Sequence, residues 1–170
     1  AESMYTIPEK GSDVALASFS SWGPTDDGRI KPDIVGIGTD LLSTSNASTT
    51  SYTYLSGTSM ASPQVSGSIF LLQQLYNRLN KNIFMRSATL KGLVLHSALD
   101  LEAAGPDYKT GWGLLDMEKA ANVITNSGSS NLISEGTLAN TATDKRSFVA
   151  SGKGDLVATL SWTDPESTVF

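Results

Sequence analysis

The sequence predicts an α/β fold that is followed by an all-β segment, and three observations support this. Short apolar pieces alternate with turn-forming residues over 14–45, which is typical of buried strands joined by loops. After Ser59 the apolar residues recur at helical spacing. Beyond Gly128 strand-like pieces continue, but the helical pattern does not. We therefore expect strands and helices to share one layered unit, with a β-only part after it.

The predicted strands of the first part are short and separated by turns. They are "VALASF" at 14–19, "PDIVGIG" at 32–38 and "DLLSTS" at 40–45. The stretch "SSWGPTDDGR" at 20–29 is rich in turn formers and predicts a loop. We expect "NASTTSYTY" at 46–54 to be a polar loop.

The predicted helices follow Ser59. The first is marked by apolar residues at spacings of four, three, four and three, namely Val65, Ile69, Leu72, Tyr76 and Leu79. A second helix is predicted over about 87–99 and a short third one over about 116–124.

A change of composition near residues 126–131 predicts a domain boundary. The stretch "NSGSSN" reads as a linker, and "LISEGTL", "RSFVA" and "DLVATLSWT" after it look like strands. We expect an α/β unit over residues 1–127, and a linker with the opening strands of a β-domain over 128–170. Three short strands rarely form an independent domain, so the β part is expected to be incomplete.

Charge and composition exclude several classes of function. The 170 residues include 12 basic and 17 acidic side chains, for a net charge of −5, and no basic cluster. Nucleic acid and membranes are therefore not expected as partners. The absence of cysteine excludes disulfides and thiol catalysis. No apolar run approaches the ~20 residues of a membrane span.

Ser59 stands in "LSGTSMASPQ", between a glycine-led turn and the first predicted helix. Pro63 is expected in the first helical turn, so the helix should begin at or just before Ser59. The hydroxyl then lies at the positive end of the helix dipole, where an oxyanion would be stabilised. Serine is also a favoured helix cap, so a purely capping role is the alternative interpretation.

The motif "GTSMASPQVSG" at 57–67 closely resembles the active-site serine motif of subtilisin-like serine proteases, the subtilases. Residues 17–45 resemble the stretch that precedes this serine, and 87–120 resemble the helices that follow it. The stretch 156–167 is similar to the opening of a β-sandwich domain that some larger bacterial subtilases carry. The resemblance implies a doubly wound α/β sandwich with a mostly parallel sheet, part of which this chain supplies. It also implies a secreted or extracellular protein.

Two positions depart from the family pattern. Gly36-Ile37-Gly38 stands where subtilases usually have Ala-Pro-Gly, which should loosen a turn without touching the chemistry. Gln64 stands where histidine is commoner.

The resemblance implies a set of site residues. Ser59 would be the nucleophile of a serine endopeptidase, and its N–H would help to hold the oxyanion. The substrate cleft would be lined by Leu55, Ser56, Gly57 and Thr58, with Met60 bordering the leaving-group side. No cofactor is expected. Subtilases often carry calcium, but no metal site is assigned here, because "TDDG" at 25–28 reads as a turn.

The triad partners of Ser59 are not found in the sequence. In subtilases the acid and the base precede the serine, whereas His96 follows Ser59 by 37 residues. None of the earlier aspartates, Asp26, Asp27, Asp33 and Asp40, stands in an Asp-Ser/Thr-Gly setting, and Asn46 does not match the oxyanion-donor context. We therefore expect the C-terminal half of a subtilase catalytic domain, whose partners are an upstream segment of the same protease and a peptide or protein substrate.

Two other classes of function stay open at this stage. One is a pseudo-protease that keeps the serine and serves binding or structure; an upstream sequence without the acid and base motifs would favour it. The other is an unrelated capped-helix binding module, for which the match of 57–67 would be accidental.

Overall fold

The computed structural model describes residues 13–102, 104–129, 132–149, 152 and 154–163. Within this part of the chain two strands precede three helices. The strands are β1 (Leu41–Thr44) and β2 (Tyr52–Leu55), and the helices are α1 (Thr58–Leu79), α2 (Ser87–Ser97) and α3 (Met117–Thr125). The predicted α/β class is confirmed, and each predicted helix is found within two residues of its expected bounds.

The two strands form an antiparallel hairpin in which Leu41 pairs with Leu55 and Thr44 with Tyr52. The prediction of a loop over 46–54 was therefore wrong for its last residues, Tyr52 to Tyr54. Aromatic and β-branched residues fit a pleated surface, and β1 supplies the hydrogen-bonding partner that a strand requires.

The remaining strand-like pieces form isolated bridges or none. Val35, in the predicted strand 32–38, makes one parallel bridge to Leu114, which also bridges Leu99 in the antiparallel sense. Residues 14–19 form no strand, and Ser20 N–H donates to Ala17 O in a turn (2.9 Å). A strand is stabilised by its neighbours, and the described residues supply few for these pieces.

The strands predicted after residue 131 are absent from the described part of that region. Apart from Ile133, which packs against the core, their apolar residues are largely exposed: Val149 is fully exposed and Leu160 is 83% exposed. The prediction of strands was therefore wrong for the described residues, which supply no second sheet on which these side chains could pack. Residues 164–170 lie outside the described part, and the domain boundary stays a prediction.

The hydrophobic core lies where the three helices meet. It is built from Leu72 of α1, Leu93 and Val94 of α2, and Ala120 and Ile124 of α3, with Met85 from the α1–α2 connection. The predicted apolar face of α1 is thus confirmed at Leu72, and Ile69 and Tyr76 pack against the same core. Leu79 is 56% exposed because α1 ends at this residue.

The opposite face of α1 carries exposed apolar side chains. Phe70 is 75% exposed and Leu71 is 61% exposed. The helix was expected at the centre of a sandwich, and the described chain covers only one side of it. Apolar side chains that stand together on a surface commonly mark a site of contact with another element. None of the helices in the described residues is long and apolar enough to cross a membrane.

Helix α3 is held at its start by Asp116, whose carboxylate accepts the Lys119 N–H at 2.8 Å. We expect Asp116→Ala to lower the free energy of unfolding by about 1 kcal/mol, because the cap satisfies an amide that has no partner within the helix. Asp116→Asn keeps an acceptor and should lose much less. Denaturant midpoints measure both, and equal midpoints for the alanine and asparagine variants would contradict the capping role.

Candidate active site

A sharp turn leads from β2 into α1 and carries the predicted nucleophile. Strand β2 ends at Leu55 and the helix begins at Thr58, as the sequence predicted. Between them Gly57 takes φ 157° and ψ 162°, a region of backbone conformation that is essentially restricted to glycine. The Gly57 N–H donates to Gly38 O at 2.7 Å, which fixes the turn against the preceding segment.

Ser59 is the second residue of α1 and is exposed. Its N–H belongs to the first turn, where amides have no partner within the helix. The N-cap position is occupied by Gly57, and no side chain of the described residues caps this helix. The alternative that Ser59 serves as the cap is therefore wrong. The hydroxyl and an unpaired amide lie together at the positive end of a 22-residue helix.

Pro63 lies deeper in the helix than the sequence indicated. With Thr58 as the first helical residue, Pro63 is the sixth, and it falls in the second turn. The nitrogen at this position would normally donate to the carbonyl of Ser59, four residues earlier, and proline has no N–H to give. The backbone just after the serine is thus held by one hydrogen bond fewer.

The predicted substrate-binding residues lie on the same turn. Leu55 is 50% exposed, and Thr58 is exposed beside Ser59. The Ser56 hydroxyl accepts the Asp40 N–H at 2.9 Å, so this side chain braces the turn. The Met60 sulfur lies 3.6 Å from the point that a Cβ on Gly57 would occupy. The structure places these residues together, and their contact with a substrate stays a prediction.

Gly36 and Gly38 pack on the start of α1, whereas the sequence predicted only a loosened turn at this segment. A Cβ on Gly36 would lie 2.5 Å from Val65 Cγ2 and 2.8 Å from Gln64 Oε1 of α1. A Cβ on Gly38 would lie 2.9 Å from Gly57 O. The segment therefore packs directly on the start of α1, and the two departures from the family pattern, Gly36 and Gln64, are neighbours in space. The Gly-x-Gly spacing was the available signal, because glycine permits a close approach of backbone.

His96 is not placed as a base for Ser59. It lies in α2, and its Nδ1 is 2.9 Å from Thr159 Oγ1. In the described part of the chain no histidine or aspartate side chain is hydrogen-bonded to Ser59, so no triad is assembled here.

Asp33 is an example of an earlier aspartate with a structural role. Burial alone would raise its pKa, but hydrogen bonds from the ammonium groups of Lys31 and Lys91 outweigh this and hold the pKa below its usual range. The Lys91 Nζ lies 2.9 Å from Asp33 Oδ1 and ties the segment to α2. Asp33 is thus a carboxylate that stays ionised in an ion-pair network.

The turn predicted at 25–28 is present, with Gly28 N–H donating to Thr25 O at 2.8 Å. The Asp27 carboxylate accepts hydrogen bonds from the Thr25 hydroxyl and from Arg29 Nε, and these lower its pKa. Among the described residues no group of three or more acidic or histidine side chains is arranged to hold a metal ion. The expectation that the protein uses no cofactor is not tested by this and stays a prediction.

Comparisons with known proteins agree with the family resemblance seen in the sequence. The Subtilase family model matches residues 10–113. The C5a peptidase of Streptococcus pyogenes is 38% identical over 122 residues, which are 65% of this chain and 10% of the peptidase. The PII-type proteinase of Lactococcus lactis subsp. cremoris is 33% identical over 131 residues, which are 68% of this chain and 7% of the proteinase. The chain thus spans about a tenth or less of the length of these relatives.

A solved structure also resembles the fold of this chain. The structure of the Clostridium perfringens CspB protease superposes with a TM-score of 0.54 at 29% identity, over 62% of this chain and 23% of that one. The partial subtilisin-like α/β fold is therefore confirmed, although the sheet in the described residues is limited to the hairpin and the isolated bridges. With the family model covering more than half of its length and the serine motif at the start of α1, the chain belongs to the subtilase family of serine proteases.

Proposed function

We propose that this chain is the serine-bearing part of an endopeptidase and that Ser59 is its nucleophile. The observation that carries the proposal is that Ser59 lies exposed in the first turn of α1 and does not cap the helix. It stands in the motif that resembles the active-site serine motif of the family. The relatives that are named peptidase or proteinase support hydrolysis of a peptide or protein substrate.

The chemistry follows from the position of the hydroxyl. Ser59 Oγ attacks the carbonyl carbon of the scissile peptide bond while a base removes its proton. Negative charge develops on the carbonyl oxygen and is stabilised by the Ser59 N–H and by the positive end of α1. The C–N bond then breaks, the base returns the proton to the leaving amine, and water hydrolyses the acyl-enzyme. Leu55 to Thr58 would hold the acyl side, and Met60 would border the leaving group.

The base, the acid and the side-chain oxyanion donor would come from another part of the catalytic domain. The sequence has one histidine, and this one contacts Thr159. The exposed apolar face of α1, with Phe70 and Leu71, is where such a part would pack. An interface of this kind resembles a hydrophobic core divided in two, and it is expected to be tight.

The test is reconstitution. The 170-residue chain is mixed with the complementary segment of its own protease, and a serine-directed phosphonate is added. We expect no labelling and no peptide cleavage from the isolated chain, and labelling at Ser59 after association. A stable monomer of 17.9 kDa that never associates, or an associated pair that stays unreactive, would sink the proposal and favour the pseudo-protease.

His96→Ala supplies a second test. We expect the turnover of the assembled protease to change less than about threefold, because His96 contacts Thr159 and does not contact Ser59. His96→Gln, which retains hydrogen-bonding atoms, is the matched control. A loss of several orders of magnitude in kcat with the fold intact would make His96 the base.

We also propose that the protease acts outside the cell, in keeping with its family. Fractionation of the producing cells, with the protein followed by antibody, checks this. Recovery confined to the cell interior would contradict it.

A further inference from the structure

The residues that follow α3 contact α2 near both of its ends. The described residues 132–149 and 154–163 form this segment, called the tail. At the N-terminal end, Glu135 Oε1 accepts the Arg86 N–H at 2.8 Å and the Thr89 hydroxyl. Arg86 Nη1 also donates to Gly136 O at 3.0 Å. Further along the helix, His96 Nδ1 lies 2.9 Å from Thr159 Oγ1.

Glu135 supplies what the start of α2 lacks. Arg86 is the N-cap residue, and no side-chain cap is present at this helix. In a capping box, a carboxylate at the third helical position accepts the N–H of the N-cap residue. Here Thr89 occupies that position, and Glu135 of the tail provides the carboxylate in its place. The negative charge also lies at the end of α2 where it is favourable.

Gly92 lies between these two contacts and has no room for a side chain. A Cβ at this position would come 2.9 Å from Ser161 Cβ, and Gly92 is buried. Glycine inside a helix is unfavourable relative to alanine. A closely seated neighbour is a physical reason for accepting that cost. Thr89, Gly92 and His96 follow one another at spacings of three and four, so they share one face of α2.

We propose that this face of α2, formed by Thr89, Gly92 and His96, is the docking surface that fastens the tail to the α/β unit. Near the start of α2 this surface binds the carboxylate of Glu135. Further along the helix it contacts two small hydroxyl residues of the tail, Thr159 and Ser161. Helix α2 thereby joins the core, through Leu93 and Val94, to the chain that continues beyond it. His96 is a docking residue, and Gly92 is the position at which the docked tail leaves little room for a side chain.

Cross-linking tests the proposal directly, because the chain contains no cysteine. Gly92→Cys combined with Ser161→Cys should close a disulfide within one molecule, since the Cβ positions need to part by only about 1 Å to reach disulfide geometry. The matched control combines Gly67→Cys of α1 with Ser161→Cys, because a Cβ on Gly67 meets nothing within 4 Å. We expect at least a tenfold higher yield of intramolecular disulfide from the first pair in the 170-residue chain. Equal yields would overturn the proposal.

Larger substitutions at Gly92 give an independent readout through the reaction of a single Ser161→Cys thiol with a maleimide. Gly92→Leu should release the tail and raise the labelling rate about fivefold or more, because a shift of about 1 Å, which is enough for the disulfide, does not make room for a leucine side chain. Gly67→Leu should leave the labelling rate unchanged, since a Cβ on Gly67 meets nothing within 4 Å. An unchanged labelling rate for Gly92→Leu would contradict the proposal. Should Gly92→Leu fail to fold, the cross-linking comparison decides.

Discussion

Ser59→Ala in the assembled protease is expected to lower kcat by about 10⁶-fold, a magnitude known for removal of the nucleophile from subtilisin itself. The reason is that Ser59 Oγ forms the acyl-enzyme in the proposed mechanism, and alanine has no nucleophilic atom in its place. The fold should be unaffected, because Ser59 is exposed and does not cap α1. A chromogenic peptide measures kcat, and circular dichroism checks the fold.

The matched control for this variant is Ser62→Ala, an exposed serine in the same helix three residues further on. It should leave kcat within about twofold of the parent, since Ser62 lies outside the proposed catalytic machinery. If Ser59→Ala retained more than about a tenth of the activity, or if Ser62→Ala lost as much as Ser59→Ala, Ser59 would not be the nucleophile.

Gly113→Ala is expected to lower the free energy of unfolding strongly, by about 3–5 kcal/mol. Gly113 has φ 116°, and a Cβ would lie 2.1 Å from Leu99 O. The Gly113 carbonyl accepts the Val35 N–H at 3.0 Å. Because the clash would displace Gly113, it would also displace the segment from Val35 to Gly38. Because those glycines pack on the start of α1, the assembled protease should also lose activity.

Gly28→Ala separates the backbone effect from the clash. Gly28 also has a positive φ, of 84°, but a Cβ there meets nothing within 4 Å. It should cost about 1–2 kcal/mol, which is the backbone contribution alone. Urea denaturation measures both variants. Similar losses for Gly28→Ala and Gly113→Ala would show that the close approach to Leu99 does not matter.

The sequence by itself determined the helices and the candidate nucleophile. The 3.6-residue period of α1 and the glycine before Ser59 are local signals, because helix hydrogen bonds and capping join residues that are near one another in the chain. The bounds of α1 and the position of Ser59 in its first turn were therefore predictable. The family followed from the same eleven residues at 57–67.

The tertiary structure decided what depends on neighbours distant in sequence. A strand needs a hydrogen-bonding partner. Residues 14–19 and the described residues after 131 have the sequence pattern of strands but form none. Tyr52 to Tyr54 form a strand because β1 supplies the partner. The packing of Gly36 on Gln64 and of Gly92 on Ser161 joins residues 28 and 69 positions apart. In the sequence such a contact is visible only as a glycine. The atom that makes the glycine necessary belongs to another part of the fold, so the sequence near the glycine does not reveal it.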